Sequence, residues 1–311
     1  MKAVRVDADK RLAFVDVAEP MPERGEALVK VHAISLNRGE TRRSLASKEG
    51  FMPGWDIAGV VETAAADGTG PKAGDRVVGL MRVGAWAEKL AIPTDYLAKI
   101  PDTVSFAQAS CLPIAGLTAL HGLSRRGNLI ARKVLITGAT GGVGHFATQL
   151  GNMSGAHVVA AVRSESQAAF AREHGAHTVA VVGDDLSSAG AHGPYDLILE
   201  SVGGASLTAA TKMLAPDGIC VTFGVSGGTT AEIDIAPFYF TLGAQIYGLA
   251  VFHELQRVEP ARIGLARLAG LVADNRLKVQ ISVEQPWAEI DTVARQLIDR
   301  KWSGKAVLHV S

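Results

Sequence analysis

The chain has 311 residues, enough for two domains with separate cores, and 48% of them are apolar, which excludes a disordered polymer. Lysine plus arginine and aspartate plus glutamate each number 31, so no overall field exists to recruit nucleic acid or an anionic membrane. The two cysteines, Cys111 and Cys220, are too few for a disulfide framework or a four-thiolate zinc lobe, and both are expected to be buried and inert in a reducing compartment.

The first seven residues reach Asp7 before any apolar core forms, which argues against a signal peptide. The long uncharged stretches carry glycine and proline and do not read as membrane spans, so a cytoplasmic protein is expected. Up to about residue 100, alternating runs at 3–6, 12–17, 27–34, 57–63, 76–80 and 87–92 predict an antiparallel β-domain punctuated by Pro20, Pro22, Pro53, Pro71 and Pro93. Residues 106–110 and 116–123 then read as helical, with a break at Pro113.

A different unit follows. Val134, Leu135 and Ile136 form a short apolar run suited to a strand buried on both faces; a glycine-rich turn comes next, and Val143, Phe146, Ala147 and Leu150 recur at helical spacing. Strands are expected at 158–162, 178–182, 196–200 and 219–223, with 245–251 closing the sheet. Helices are expected at 165–174, ending at Gly175, at 207–214 and at 236–242. This alternation predicts a doubly wound parallel sheet. The segments 259–275, 279–283, 287–301 and 306–310 are too mixed to extend it and are expected to return to the first domain.

The turn carries the chemistry. Gly138, Gly141 and Gly144 read as GxxGxxG, while Ala139, Gly141 and Gly144 read as the dinucleotide fingerprint with alanine at its first position. Residues Ala139, Thr140, Gly141, Gly142, Val143 and Gly144 would bring backbone N–H groups and a helix N-terminus to a pyrophosphate. At the end of the second strand, an acid would hydrogen-bond the ribose of NAD and repel the extra phosphate of NADP. The chain instead has Arg163 and Ser164, a guanidinium fork and a hydroxyl, so NADPH is expected over NADH, although Glu165 follows closely.

Taken together, Ser35-Leu36-Asn37-Arg38-Gly39-Glu40, Pro53-Gly54-Trp55-Asp56-Ile57-Ala58-Gly59, Gly74-Asp75-Arg76-Val77, Gly116-Leu117-Thr118-Ala119, the glycine turn and Ser303-Gly304-Lys305-Ala306-Val307-Leu308 resemble the medium-chain dehydrogenase/reductase superfamily, in particular its zinc-free quinone oxidoreductase branch. The resemblance implies a GroES-like β-domain made from both chain ends, residues 1–115 and 253–311, with a Rossmann NADP(H)-binding domain inserted at 116–252. It also implies a dinucleotide held in the cleft between the two, and a homodimer joined through the sheet edge at 245–251.

Zinc-dependent relatives hold their metal with a cysteine, the histidine of a Gly-His-Glu triplet and a further cysteine. Asn37 stands at the first of these positions, Trp55 and Asp56 replace the histidine and glutamate, and Ala115 falls near the last, so no zinc is expected. Without a metal, hydride acceptors that spread charge by conjugation are favoured: quinones and α,β-unsaturated carbonyls. Asn37 and Arg42 are the catalytic candidates, Asn37 by resemblance and Arg42 as a cation where quinone-reducing relatives often have tyrosine. Glu40 is expected to hold the loop, and Lys305 to be a surface lysine with some reach towards the cleft. Trp55, Tyr239 and Phe252 are candidates for an apolar pocket wall. Thr118, Phe223, Gly224, Leu249 and Val251 are expected to line the dinucleotide. The expected activity is a zinc-independent, NADPH-dependent reductase. An alcohol or aldehyde oxidoreductase of the same superfamily, and a low-turnover redox sensor, stand as alternatives.

Overall fold

The computed structural model describes residues 1–310. Strands β1 (Lys2–Val6) and β2 (Leu12–Asp16) pair antiparallel. They are followed by β3 (Glu26–Leu36), α1 (Arg38–Ala46), β4 (Asp56–Thr63), β5 (Arg76–Leu80), β6 (Lys89–Pro93) and β7 (Leu97–Lys99). In β6, Leu90 and Ile92 turn inward while their neighbours stay partly exposed, as period-2 alternation requires of a half-buried strand.

Helix α2 (Phe106–Ser110) starts from a capping box in which Ser105 accepts from the Gln108 amide. The expected break at Pro113 does not occur. Leu112–Gly116 forms a wider π-type turn that runs on into α3 (Leu117–Ser124), with Pro113 in its opening residues, where a missing N–H costs no hydrogen bond.

The inserted unit comprises β8 (Lys133–Ile136), α4 (Gly142–Met153), β9 (His157–Val162), α5 (Ala168–Glu173), β10 (Thr178–Val181), β11 (Tyr195–Glu200), α6 (Gly204–Thr211), β12 (Leu214–Thr222), α7 (Ile235–Phe240) and β13 (Gln245–Gly248), followed by α8 (Val251–Arg257). Its six strands lie in the order β10-β9-β8-β11-β12-β13, all parallel. Val134, Leu135 and Ile136 are fully buried, as a continuous apolar run in a sheet covered on both faces should be. Several boundaries differ from expectation, two of them for a visible reason. Leu214 opens β12 instead of closing a helix, because Tyr195 pairs with it across the sheet. β13 stops at Gly248, since the His253 and Glu254 amides fold back onto the Ala250 carbonyl and start α8.

The chain then adds α9 (Ala261–Ala273), β14 (Ile281–Pro286), α10 (Ile290–Ile298) and β15 (Lys305–His309). β15 pairs antiparallel with residues 33–36 of β3, next to the stretch 26–30 that pairs with β6, so the first and last segments complete one β-sheet. The fold is therefore a GroES-like β-domain built from both chain ends with a parallel Rossmann sheet inserted. The compact units run from Met1 to Leu117 together with the chain from Leu255 onward, and from Thr118 to Glu254. The first has its core around Ile34, Ile57, Trp86 and Leu308, the second around Leu135, Val159, Tyr195 and Ile198. Among the described residues, no helix is long and apolar enough to cross a membrane.

Close packing between β8 and α4 depends on a missing side chain. A Cβ on Gly144 would overlap the Gly138 carbonyl and stand 2.6 Å from the Ala139 Cα, both backbone atoms that cannot rotate away. Gly144→Ala is accordingly expected to cost about 1–3 kcal/mol by overpacking, read as a lowered midpoint in urea unfolding followed by circular dichroism.

Candidate active site

Gly138 adopts φ +58°, and its carbonyl accepts from the Gly141 amide at 2.8 Å, closing the tight turn between β8 and α4. Gly141 is the N-cap and has no side chain to cap the helix, so the N–H groups of Gly142, Val143 and Gly144 remain open to a ligand. Strand order reverses between β8 and β11, and there Thr137 and Ser201 join the two strand ends, with the Ser201 amide donating to Thr137 Oγ1 at 2.8 Å. In open parallel sheets this reversal marks the ligand crevice at the carboxyl ends of the strands.

Most of the other predicted cofactor residues lie along the same carboxyl edge. Arg163 and Ser164 follow β9 and are exposed; Phe223 and Gly224 follow β12; buried Leu249 follows β13, and Val251 opens α8. Thr118 is buried in α3. One connection escaped the sequence reading. Gln167 accepts from the Arg163 amide at 3.0 Å and donates to Thr140 Oγ1 at 3.3 Å, so its carboxamide ties the segment after β9 to the glycine turn. Ser164 also shares a hydrogen bond with Ser166 at 2.8 Å. Glutamine four residues after an arginine carries no motif of its own, so only the folded turn reveals this link.

The other unit carries a second cluster where β3 ends and α1 begins. Asn37 caps α1 in a capping box with Glu40: Glu40 Oε1 accepts from the Asn37 amide at 2.8 Å and from its Nδ2 at 2.9 Å. The same Nδ2 donates to Asp56 Oδ2 at 2.7 Å, and Lys305 donates to Asn37 Oδ1 at 2.7 Å. Lys305 is only 2% exposed, which corrects its expected surface position. It also donates to the Leu36 carbonyl at 3.1 Å and stands 3.6 Å from Asp56. Ser35 and the Ile114 amide complete the Asp56 shell at 3.0 Å each. Arg42 lies outside the cluster, exposed on α1, and of the three pocket-wall candidates Tyr239 is 72% exposed while Trp55 and Phe252 are partly buried.

One ammonium cannot neutralise two carboxylates. The Asp56 carboxyl is raised by burial, and Lys305 first, then Asn37, Ile114 and Ser35, oppose the rise. Glu40 is held well above the ordinary carboxylate range, by burial and then by the negative charge of Asp56. Its Oε2 has no hydrogen-bond partner, which suits a neutral acid better than a carboxylate. Burial also raises both thiols, Cys111 to about 12.

The cluster does not fit a zinc ion. The Asn37 amide is already engaged by three side chains, the Trp55 indole donates to the Arg82 carbonyl at 2.9 Å, and Ala115 has no donor atom. Among the described residues, no group of three or more His, Cys, Asp and Glu side chains is placed to hold a metal.

Two substitutions separate the carboxyls. Asp56→Asn strips Lys305 of its counter-ion and is expected to cost about 3–5 kcal/mol, whereas Glu40→Gln replaces a neutral acid and should cost about 1 kcal/mol at neutral pH. Because folded Glu40 keeps a proton that the unfolded chain releases, its contribution is complete below the ordinary carboxylate range and is lost as pH rises through its raised value. Urea titrations across pH should therefore show Glu40→Gln gaining on wild type as pH increases.

Comparison with known proteins agrees with this architecture. Residues 23–102 match the family model "Alcohol dehydrogenase GroES-like domain", and residues 142–263 match "Zinc-binding dehydrogenase". The chain is 30% identical over 234 residues to the quinone oxidoreductase of Rattus norvegicus, covering 71% of this chain and 70% of that one. It is 28% identical over 318 residues to the chloroplast envelope quinone oxidoreductase homolog of Arabidopsis thaliana, covering 96% and 93%. Among solved structures, a mycobacterial protein complexed with NADPH superimposes with a TM-score of 0.89 at 26% identity, covering all of both chains. From the glycine turn, the two-ended β-domain and these matches, the chain belongs to the medium-chain dehydrogenase/reductase superfamily of oxidoreductases, in its quinone oxidoreductase-like branch.

Proposed function

We propose that the protein is a zinc-independent, NADPH-dependent reductase of quinones or α,β-unsaturated carbonyl compounds, and that it works in the cytoplasm as a homodimer. The observation that carries this reading is the carboxyl edge of the parallel sheet, where an open helix N-terminus and an arginine–serine pair are joined by Gln167.

The residues present fit a dinucleotide. A Cβ on Gly144 would collide with the Gly138 carbonyl and one on Gly141 would stand 3.2 Å from it, so the glycines keep the turn tight and bring the start of α4 close against it. The N–H groups of Gly142, Val143 and Gly144 would hold the pyrophosphate, with Ala139, Thr140 and Gly141 shaping the turn. Arg163 and Ser164 would hold the 2′-phosphate through charge-assisted hydrogen bonds. Thr118, Phe223, Gly224, Leu249 and Val251 would line the remainder. The cofactor, when bound, supplies the hydride.

On the substrate side, Asn37 and Arg42 are the proposed catalytic residues. Both Asn37 amide hydrogens are committed to Glu40 and Asp56 and its Oδ1 accepts from Lys305, so its contribution to a substrate is a fixed dipole. Arg42 would attract the negative charge that conjugation spreads to the acceptor oxygen. With no Lewis acid, positioning is the main source of rate, which favours acceptors that delocalise charge over simple ketones. The mycobacterial neighbour complexed with NADPH and the relatives described as quinone oxidoreductases support the cofactor and the acceptor class. A cytoplasmic site suits two buried, unpaired thiols.

Anaerobic oxidation of NADPH with quinones, enals, enones and simple aldehydes is expected to proceed with conjugated acceptors and not with aldehydes. Arg163→Ala should reduce kcat/KM for NADPH about tenfold or more while leaving NADH nearly unchanged; an unchanged ratio removes Arg163 from the role. The homodimer reading rests on β13, a sheet edge beside exposed Ile235, Tyr239, Phe240 and Leu242. Sedimentation velocity should show wild type as a dimer and Tyr239→Asp combined with Ile246→Asp as a monomer.

A further inference from the structure

Lys305 opens β15, and its ammonium is ringed by oxygens from three other places: the last residue of β3, the cap of α1 and the first residue of β4. Burying an ammonium is costly, and an apolar side chain would fill the same volume without that cost. The charge therefore has a use beyond packing. That use is visible at Asn37. With Oδ1 on the ammonium and Nδ2 shared by two carboxyl groups, only one orientation of the amide satisfies every contact; flipping it would set N–H against ammonium and carbonyl against carboxyl oxygen.

We propose that Lys305 is a positioning residue, a cation built into the chain that locks the Asn37 amide in one orientation and fills an oxygen-lined place that a divalent ion would otherwise take. The proposal rests on the reading of Asn37 as part of the substrate-side machinery. The lining is a backbone carbonyl, an amide oxygen and a carboxylate, with Glu40 one hydrogen bond away: a hard-cation donor set rather than a zinc set. Without the ammonium, the amide loses the contact that chooses between its two orientations, and the carboxyl groups are left with an unfilled cation site.

Two variants test this. Lys305→Met keeps length and packing and removes the charge; Lys305→Ala opens the space. In NADPH-dependent reduction of an enone such as 3-buten-2-one, kcat is expected to fall about 100-fold in both, with KM for NADPH within about twofold of wild type. Ethylammonium, but not propanol, should restore kcat of Lys305→Ala about tenfold. A merely structural lysine would not produce that split or that rescue. A second readout needs no turnover: by electron paramagnetic resonance, Lys305→Ala is expected to bind stoichiometric Mn2+ that ethylammonium displaces, and wild type to bind none at this site. Wild-type kcat in Lys305→Met, or equal restoration by propanol, overturns the proposal. Should wild type reduce no acceptor of the panel, the proposed function fails, and Mn2+ binding alone then judges Lys305: no binding to Lys305→Ala overturns its role. Lys305→Met carries the kinetic comparison if Lys305→Ala does not fold.

Discussion

A single buried ion pair organises the first unit. Lys305 and Asp56 come from strands on opposite sides of β3, and both reach the short link between β3 and α1. An isolated charge at either position would be strongly unfavourable, so the two strands are bound to arrive together. The start of α1 follows from this: Asn37, its N-cap, is fixed by three side chains at once. With two buried carboxyl groups and one ammonium, burial and the charge of Asp56 hold the Glu40 carboxyl well above the ordinary carboxylate range.

The second unit obeys a different constraint, steric rather than electrostatic. Its turn exists because two backbones approach more closely than any side chain permits, and the helix dipole and open N–H groups are by-products of that approach. Parallel strand order then brings the ends of β8, β9, β12 and β13 to one edge, so residues more than a hundred positions apart share one rim. Gln167 ties that rim together where it is otherwise loop, linking the glycine turn to the segment after β9.

Local pattern made much of this legible. Alternation in β6, the apolar run of β8 and the glycine spacing after Ile136 each report a property of neighbouring residues, and each is expressed as expected. Properties that depend on distant partners were not. Lys305 meets Asn37 and Leu36 across 268 and 269 residues, and a lysine after a glycine ordinarily signals surface, so its burial had no local sign. Pro113 is a breaker in a regular helix, but the π-type turn places it where its missing donor is harmless. The end of β13 is set by the Ala250 carbonyl, to which two later amides return, a choice that apolar residues on either side of Gly248 do not announce.

The pairing of β15 with β3 has a consequence for biosynthesis. β15 occupies an interior place in its sheet, between β14 and β3, yet it follows every other described strand in chain order. The nascent chain therefore holds every strand of the inserted parallel sheet before β3 can gain its final neighbour. Until then the residues at 33–36 present an unzipped, apolar strand margin to other nascent chains, and the emergence of β15 is the moment that closes it.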